Sequence, residues 1–302
     1  MLRTILLSLT GPILWGSTYS VFTETLPTSH PFFVGVIRAL PAGLILLAIN
    51  PHIPAARVMA RYAVLAALNI GFFFALLFVA AARMPGGLAA TLGAVQPLAV
   101  IALTALIVRR LPHPAQVGAG IAGVVGVALL VLSPSDRPDL IGVLAAIGGA
   151  VLMAIGTVLI DRWGRDGKPL EMATWQLILG GLILLPIAYA VEGLPPAPDG
   201  KALAGYAWLV LLGTAFAYYV WNRGITRIGP SAAYLALASP VVATIIGAVW
   251  LREVFTPAQW VGIILVLGAI AVGVSFRRPV AKPASQDDAE TLAVGGGAQA
   301  GR

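Results

Sequence analysis

The sequence predicts an all-α integral membrane protein of ten transmembrane helices, arranged as two inverted five-helix repeats. Three observations carry this. Apolar runs long enough to cross a bilayer recur along the chain, Lys and Arg fall in alternate loops, and one stretch of the chain recurs 143 residues later.

The apolar runs come first. Apolar residues make up 59% of the chain and charged residues only 10%, where a soluble domain carries about 25% charged residues. A water-exposed fold of this size would lack polar surface, so the solvent for most of the chain is lipid. Helices are expected at 4–24, 32–50, 62–82, 86–108, 115–132, 140–160, 170–190, 204–222, 230–251 and 257–276. Each holds roughly the 20 apolar residues that a bilayer crossing needs. Proline and polar clusters separate them: Pro27 and Pro31, Pro51 and Pro54, Pro112 and Pro114, Ser133 to Asp136, and Pro195 to Pro198. The first run follows Met1-Leu-Arg-Thr and is too long for the apolar core of a cleaved leader, so it reads as the first membrane helix.

Loop charges test the count. With the N-terminus in the cytoplasm, the inner loops and ends carry Arg3, Arg57, Arg61, Arg109, Arg110, Arg162, Arg165, Lys168, Arg223, Arg227, Arg277, Arg278, Lys282 and Arg302, which is 14 charges. The outer loops carry 4, namely Arg83, Arg137, Lys201 and Arg252. A missed or added helix would scramble this bias, so it supports ten helices and places both termini in the cytoplasm. The same bias explains the net charge of +7 without nucleic acid, since no basic stripe is interleaved with exposed aromatics.

The repeat completes the fold. A shift of 143 lays Pro97 on Pro240, Arg109 on Arg252 and Pro114-Ala-Gln116 on Pro257-Ala-Gln259. The halves are then 1–135 and 136–278, followed by a polar, Gly-rich cytoplasmic tail at 279–302 expected to be disordered. Five helices per half means that the second half inserts upside down. Inverted repeats are the architecture of secondary carriers, whose substrate site lies near the midplane between the halves.

The features Leu14-Trp15-Gly16-Ser17-Thr18, Arg38, the paired Pro97 and Pro240, and Leu251-Arg-Glu253 ahead of Pro257-Ala-Gln259 give the chain a family likeness. It resembles the drug/metabolite transporter superfamily, in particular its EamA-type ten-helix exporters, over about residues 5–276. Arg110 departs from the pattern, standing where the second half has Glu253. The resemblance implies export of small metabolites, often amino acids, across the bacterial inner membrane.

Candidate binding residues are those that put polar or aromatic groups inside the slab, where lipid offers no hydrogen bonds. They are Trp15, Ser17 and Tyr19 in the first helix, Phe78 in the third, Gln96 in the fourth, Trp175 and Gln176 in the seventh, Tyr218 and Trp221 in the eighth, and Tyr234 in the ninth. A wall of aromatics and amides suits an amphipathic ligand. Arg38 lies seven residues past Pro31, about 10 Å deep. It is either a counter-ion for a substrate carboxylate, a structural partner of Glu24 at the outer end of the first helix, or a side chain snorkelling outward. Pro97 and Pro240 fall near the middles of their helices and are candidate hinges. Small residues Gly118, Ala122 and Gly126 are expected to let the fifth helix pack closely.

The chain has no Cys, its three His fall in loops, and no acid lies at a helix midpoint. No metal or cofactor is therefore expected, and no proton relay, which points to facilitated diffusion or exchange. An intramembrane enzyme would have to work without a His-Glu-x-x-His motif or a visible base. A drug exporter is the nearer alternative. The expected partners are a small-molecule substrate and the lipid bilayer, with the chain acting as a monomer.

Overall fold

The computed structural model describes residues 2–27, 29–83, 86–109, 111–132, 138–163, 168–251 and 254–276. The expected tail at 279–302, and the contrasting pair Arg110 and Glu253, lie outside the described residues.

Among the described residues, ten membrane helices run in the expected order. They are α1 (Leu2–Thr25), α2 (Pro31–Ile49), α3 (Ala56–Ala66 continuing as Phe72–Arg83), α4 (Gly86–Gly93 and Gln96–Val108) and α5 (Pro114–Val131). The second half supplies α6 (Leu140–Trp163), α7 (Pro169–Glu192), α8 (Gly200–Val210 continuing as Ala217–Ile228), α9 (Gly229–Leu237 and Ala238–Leu251) and α10 (Pro257–Ser275). The stretch Gly200–Val249 is helical throughout its 50 residues, a path of more than 60 Å where a bilayer core is about 30 Å thick. It therefore holds two crossings. Gly229 divides them at φ +77°, a left-handed conformation that ends α8 and lets the chain reverse.

α3 and α8 start several residues before the expected apolar runs, because a helix need not stop where lipid does. Arg57 and Arg61 lie on the added turns of α3, and Arg223 and Arg227 on the last turns of α8. Together with Arg3, Arg162 and Lys168 they mark one arginine-rich face.

Packing follows a two-fold pattern. α2 lies along α7, and α5 along α10, so each helix meets its own counterpart in the other half. α1 packs on α8 and α9, and α6 packs on α3 and α4. Exchanging the halves, so that each helix is replaced by the one five places away, leaves this list unchanged. Lipid removes the apolar driving force between helices, so close approach must come from small residues. Gly43 of α2 sits against Ile178 of α7, and Gly181 of α7 against Leu40 of α2. Gly126 and Gly262 bring α5 and α10 together at backbone distance, where a Cβ on Gly262 would lie 2.7 Å from the Gly126 carbonyl oxygen. The close face of α5 is Gly120, Gly123 and Gly126 rather than the expected Gly118, Ala122 and Gly126, because Gly118 is exposed with no atom near its missing Cβ.

The Pro-Ala-Gln repeat turns out to be a helix start written twice. Thr256 and Gln259 form a reciprocal capping box around Pro257, with Gln259 N donating to Thr256 Oγ1 at 3.3 Å and Thr256 N to Gln259 Oε1 at 2.9 Å. In the first half His113 takes the cap position, its Nδ1 accepting from Ala115 N at 3.2 Å. Proline follows each cap, where its missing N–H costs nothing.

Two further irregularities also repeat. α3 takes a π turn over 67–71, and α8 takes one over 211–216. Gly71 and Gly213 lie in these turns 142 residues apart, one residue short of the shift that pairs the prolines. α4 breaks at a turn over 94–95, and α9 changes from a tight 3₁₀ coil to α-helix between 237 and 238, positions that a shift of 143 superposes. Pro97 and Pro240 therefore do not interrupt α-helix at its middle. Each sits in the first turn of the segment beyond the break, where no N–H is needed.

Candidate functional site

The site is built from the π turn of α8 outward. A π turn widens the ladder and leaves a main-chain carbonyl free to bond elsewhere. Gly213 supplies that carbonyl near the middle of α8, and two side chains reach it from other helices. Trp15 Nε1 of α1 donates to it at 3.1 Å, and Arg38 Nη2 of α2 donates to it at 3.1 Å. Arg38 Nε also donates to Thr214 Oγ1 at 3.0 Å. The Phe74 ring of α3 covers the guanidinium, its centroid 5.2 Å from Cζ. Arg38 is 8% exposed. On insertion scales a charge at mid-bilayer costs about 2.5–3.5 kcal/mol, and here only neutral partners offset it. No carboxylate among the described residues lies within ion-pair distance of Arg38.

Aromatic groups continue the wall. The Trp15 ring packs 5.3 Å from Tyr218 and 5.2 Å from Trp221, both tilted toward edge-on contact. Tyr218 and Trp221 are nearly inaccessible at 4% and 2%. Trp15, Arg38, Phe74, Gly213, Tyr218 and Trp221 thus converge from α1, α2, α3 and α8, drawing on both halves.

The π turn of α3 has its own polar pair. Asn69 Nδ2 donates to Gln176 Oε1 of α7 at 2.9 Å. Asn69 Oδ1 and Gln176 Nε2 are buried without a hydrogen-bond partner. Gly156 of α6 makes room for Asn69: a Cβ there would fall 1.8 Å from Oδ1. Gln96 Nε2 of α4 and Asn222 Nδ2 of α8 are likewise buried and unpartnered. Such groups are costly in a static core, and they suit contact with a polar ligand.

Other expected contacts lie elsewhere. Trp175 sits near the arginine-rich face, its Nε1 donating to the His52 carbonyl at 3.0 Å. Beside it Glu171 is buried, receiving the Tyr62 hydroxyl at 3.2 Å and lying 3.3 Å from His52 Nε2. These groups tie the α2–α3 loop to the start of α7. Tyr234 fills the joint between α9, α5 and α10, donating to the Gln116 carbonyl and resting on Gly273. Ser17 accepts from Trp208 Nε1 at 3.1 Å at the exposed edge of α8. The Tyr19 and Phe78 side chains lie outside the described residues. Glu24 is exposed and lines a cleft of about 340 Å³ with Thr25, Pro196, Asp199 and Tyr206, at the face opposite the arginines. It makes no contact with Arg38.

Glu192, two residues past the expected end of the seventh helix, ends α7 and caps α2. Its Oε1 accepts from Phe32 N at 2.7 Å and its Oε2 from Phe33 N at 2.9 Å. α2 starts at a proline and has no capping side chain of its own, which leaves its first N–H groups to a distant partner. Glu171 and Glu192 therefore fasten the two ends of α7 to the α2 region, one at each membrane face.

Comparisons with known proteins agree with the all-helical fold built from two similar halves. The profile of the EamA-like transporter family matches residues 2–132 and again 140–274, one match per half. Protein PecM of Dickeya dadantii is 37% identical over 285 residues, covering 92% of this chain and 96% of that protein. The uncharacterized inner membrane transporter YicL of Salmonella typhimurium is 27% identical over 285 residues, covering 87% of this chain and 92% of that one. A crystal structure of another protein, 19% identical, superposes with a TM-score of 0.74 over 89% of this chain and 96% of its own, which speaks for the fold. The chain belongs to the EamA-like transporter family and is a multi-pass inner-membrane transporter.

Proposed function

We propose that the chain is an alternating-access carrier that exports small amphipathic metabolites, foremost amino acids with aromatic or hydrophobic side chains, by facilitated diffusion or exchange. The observation that carries this reading is the convergence of Trp15, Tyr218 and Trp221 on the carbonyl-bearing π turn of α8, near mid-membrane and between the halves. A rigid aromatic wall beside unpartnered amides offers one surface for an apolar body and another for polar groups. The two halves, 1–135 and 136–278, would rock about this centre, as inverted repeats do. On the arginine-rich face the Glu171, His52 and Tyr62 contacts would open to admit substrate. On the other face the Glu192 cap and the Glu24 cleft would form the exit.

Alanine in place of Trp15 or Trp221 should slow substrate flux in proteoliposomes by roughly tenfold, the effect of losing about 1.4 kcal/mol of binding at the transport step. Folding in detergent is the control, and parent-like flux from both variants would move the substrate wall elsewhere.

The arginine-rich face is proposed to be cytoplasmic, with both termini there, in line with the charge bias of the loops. The chain has no Cys, so single introduced thiols report without background. A Cys at Asp199 should react with an impermeant maleimide added outside intact cells, and a Cys at Leu111 only after lysis. The reverse pattern would invert the orientation.

A further inference from the structure

The charge inventory of the site is one-sided. Arg38 is held within the apolar span of α2 by Thr214 and the Gly213 carbonyl, both neutral, with Phe74 over its face. These bonds use two of the five N–H groups of a guanidinium. The planar fork is built to take a carboxylate through two parallel bonds. Among the described residues every acid falls in a loop or in the first or last turn of a helix. Of these described acids, Asp161, Glu171, Glu192 and Glu24 are helical and each sits at a helix end, while Asp139 and Asp199 precede a helix. The site thus offers a charged partner for an anion and none for an ammonium group.

We infer that the group this carrier recognises is a carboxylate docked on Arg38, and that it accepts organic monocarboxylates with an apolar body whether or not they carry an α-amine. The inference rests on the carrier reading above and narrows its substrate class. Gly213 is the exchange partner: the arriving carboxylate takes over Arg38 Nη2, and the freed carbonyl keeps Trp15. An α-ammonium beside the same groups meets ring faces and neutral dipoles, and its own dehydration offsets the cation–π attraction it gains there, so it adds little.

The test titrates the purified full-length protein in detergent with 3-phenylpropanoate, phenylalanine, 3-phenylpropanamide and phenethylamine. A parallel set uses 4-methylpentanoate, leucine, 4-methylpentanamide and isopentylamine. Binding is read by calorimetry, which avoids passive permeation of the acids. The simple carboxylates should bind at least as tightly as the amino acids, and about tenfold or more tighter than the amides and amines, as expected for a charge-assisted bidentate contact. Arg38→Gln should bring the acid down to the amide, and Arg38→Lys should retain part of the preference, since it keeps charge but loses the fork.

Amides or amines binding as tightly as the acids would overturn the inference, as would unchanged acid binding in folded Arg38→Gln, or no acid of either set binding. Should Arg38→Gln fail to fold, the parent protein's acid-to-amide ratio decides alone. Flux of neutral or cationic compounds in proteoliposomes without acid preference would overturn this inference and leave the carrier reading standing. Flux of nothing would remove both.

Discussion

Gly16→Ala should lower the unfolding midpoint of the detergent-solubilised protein by several degrees and abolish most transport, whereas Gly118→Ala should do neither. A Cβ on Gly16 would lie 2.6 Å from Val242 Cβ, 2.9 Å from Val242 Cγ1 and 2.7 Å from the Ser239 carbonyl oxygen. Two of these obstacles are a branched side chain, which has one strongly preferred rotamer. The third is main chain, which cannot step aside. α1 and α9 must therefore separate. Overpacking of this kind costs about 1–3 kcal/mol, and the functional loss is larger because Gly16 follows Trp15. Moving α1 off α9 pulls the Trp15 ring from Tyr218 and Trp221 and stretches its bond to Gly213. At Gly118 nothing lies within 4 Å of the missing Cβ. There Ala should be neutral or stabilise by about 0.5–1 kcal/mol through helix propensity. Thermal melts of both variants decide, and matching midpoints would mean that the α1–α9 contact is looser than the distances state.

The glycines also show what a sequence of this kind reveals. Helix number was legible, because lipid demands long apolar runs and the chain interrupts them with proline and charge. The repeat was legible through Pro114-Ala-Gln116 and Pro257-Ala-Gln259, which are helix starts and so keep strict spacing. Which side of each helix faces inward was not. A soluble helix announces its buried face by periodicity, but a helix apolar all round has no such stripe, so Gly118 and Gly126 read alike. Trp15, Tyr218 and Trp221 were singled out for being aromatic in the slab, and they do meet. Trp175 and Tyr234 met the same criterion and went to the α2–α3 loop and to the α5–α10 joint. The π turns left no trace, since a widened turn needs no special residue. With them went the role of Gly213, whose only functional atom is a main-chain oxygen. Glu192 was hidden for another reason: its partners Phe32 and Phe33 are far away in sequence, and capping by a distant helix has no local pattern.

The paired prolines carry the second large effect, and the structure sharpens its origin. Pro97 follows a turn at 94–95, and Pro240 follows the change from 3₁₀ to α at 237–238. In both places the chain has a ready bend, and the proline keeps a continuous α-helix from forming across it. Pro97→Ala restores an N–H that can reach the Gly93 carbonyl, and Pro240→Ala one that can reach the Ala236 carbonyl. A proline inside a helix costs about 3 kcal/mol relative to alanine, so each replacement favours the straight helix by up to that amount. If straightening and bending of α4 and α9 accompany the switch between states, this biases the two-state balance by up to roughly 100-fold. The halves are inverted, so straightening α4 should favour access from one face and straightening α9 access from the other. Thiol probes placed at Thr25 and at Leu7, one toward each face along α1, should therefore react with opposite trends in the two variants. Transport should slow in both. Binding of substrate in detergent should change much less, because a proline ring offers no polar contact. The double variant should recover balanced labelling while remaining slow, since both states are then stabilised and the barrier between them is not lowered. Parent-like rates and labelling in both single variants would make the two breaks static joints, and the motion would have to come from α2 and α7 sliding on their glycines instead.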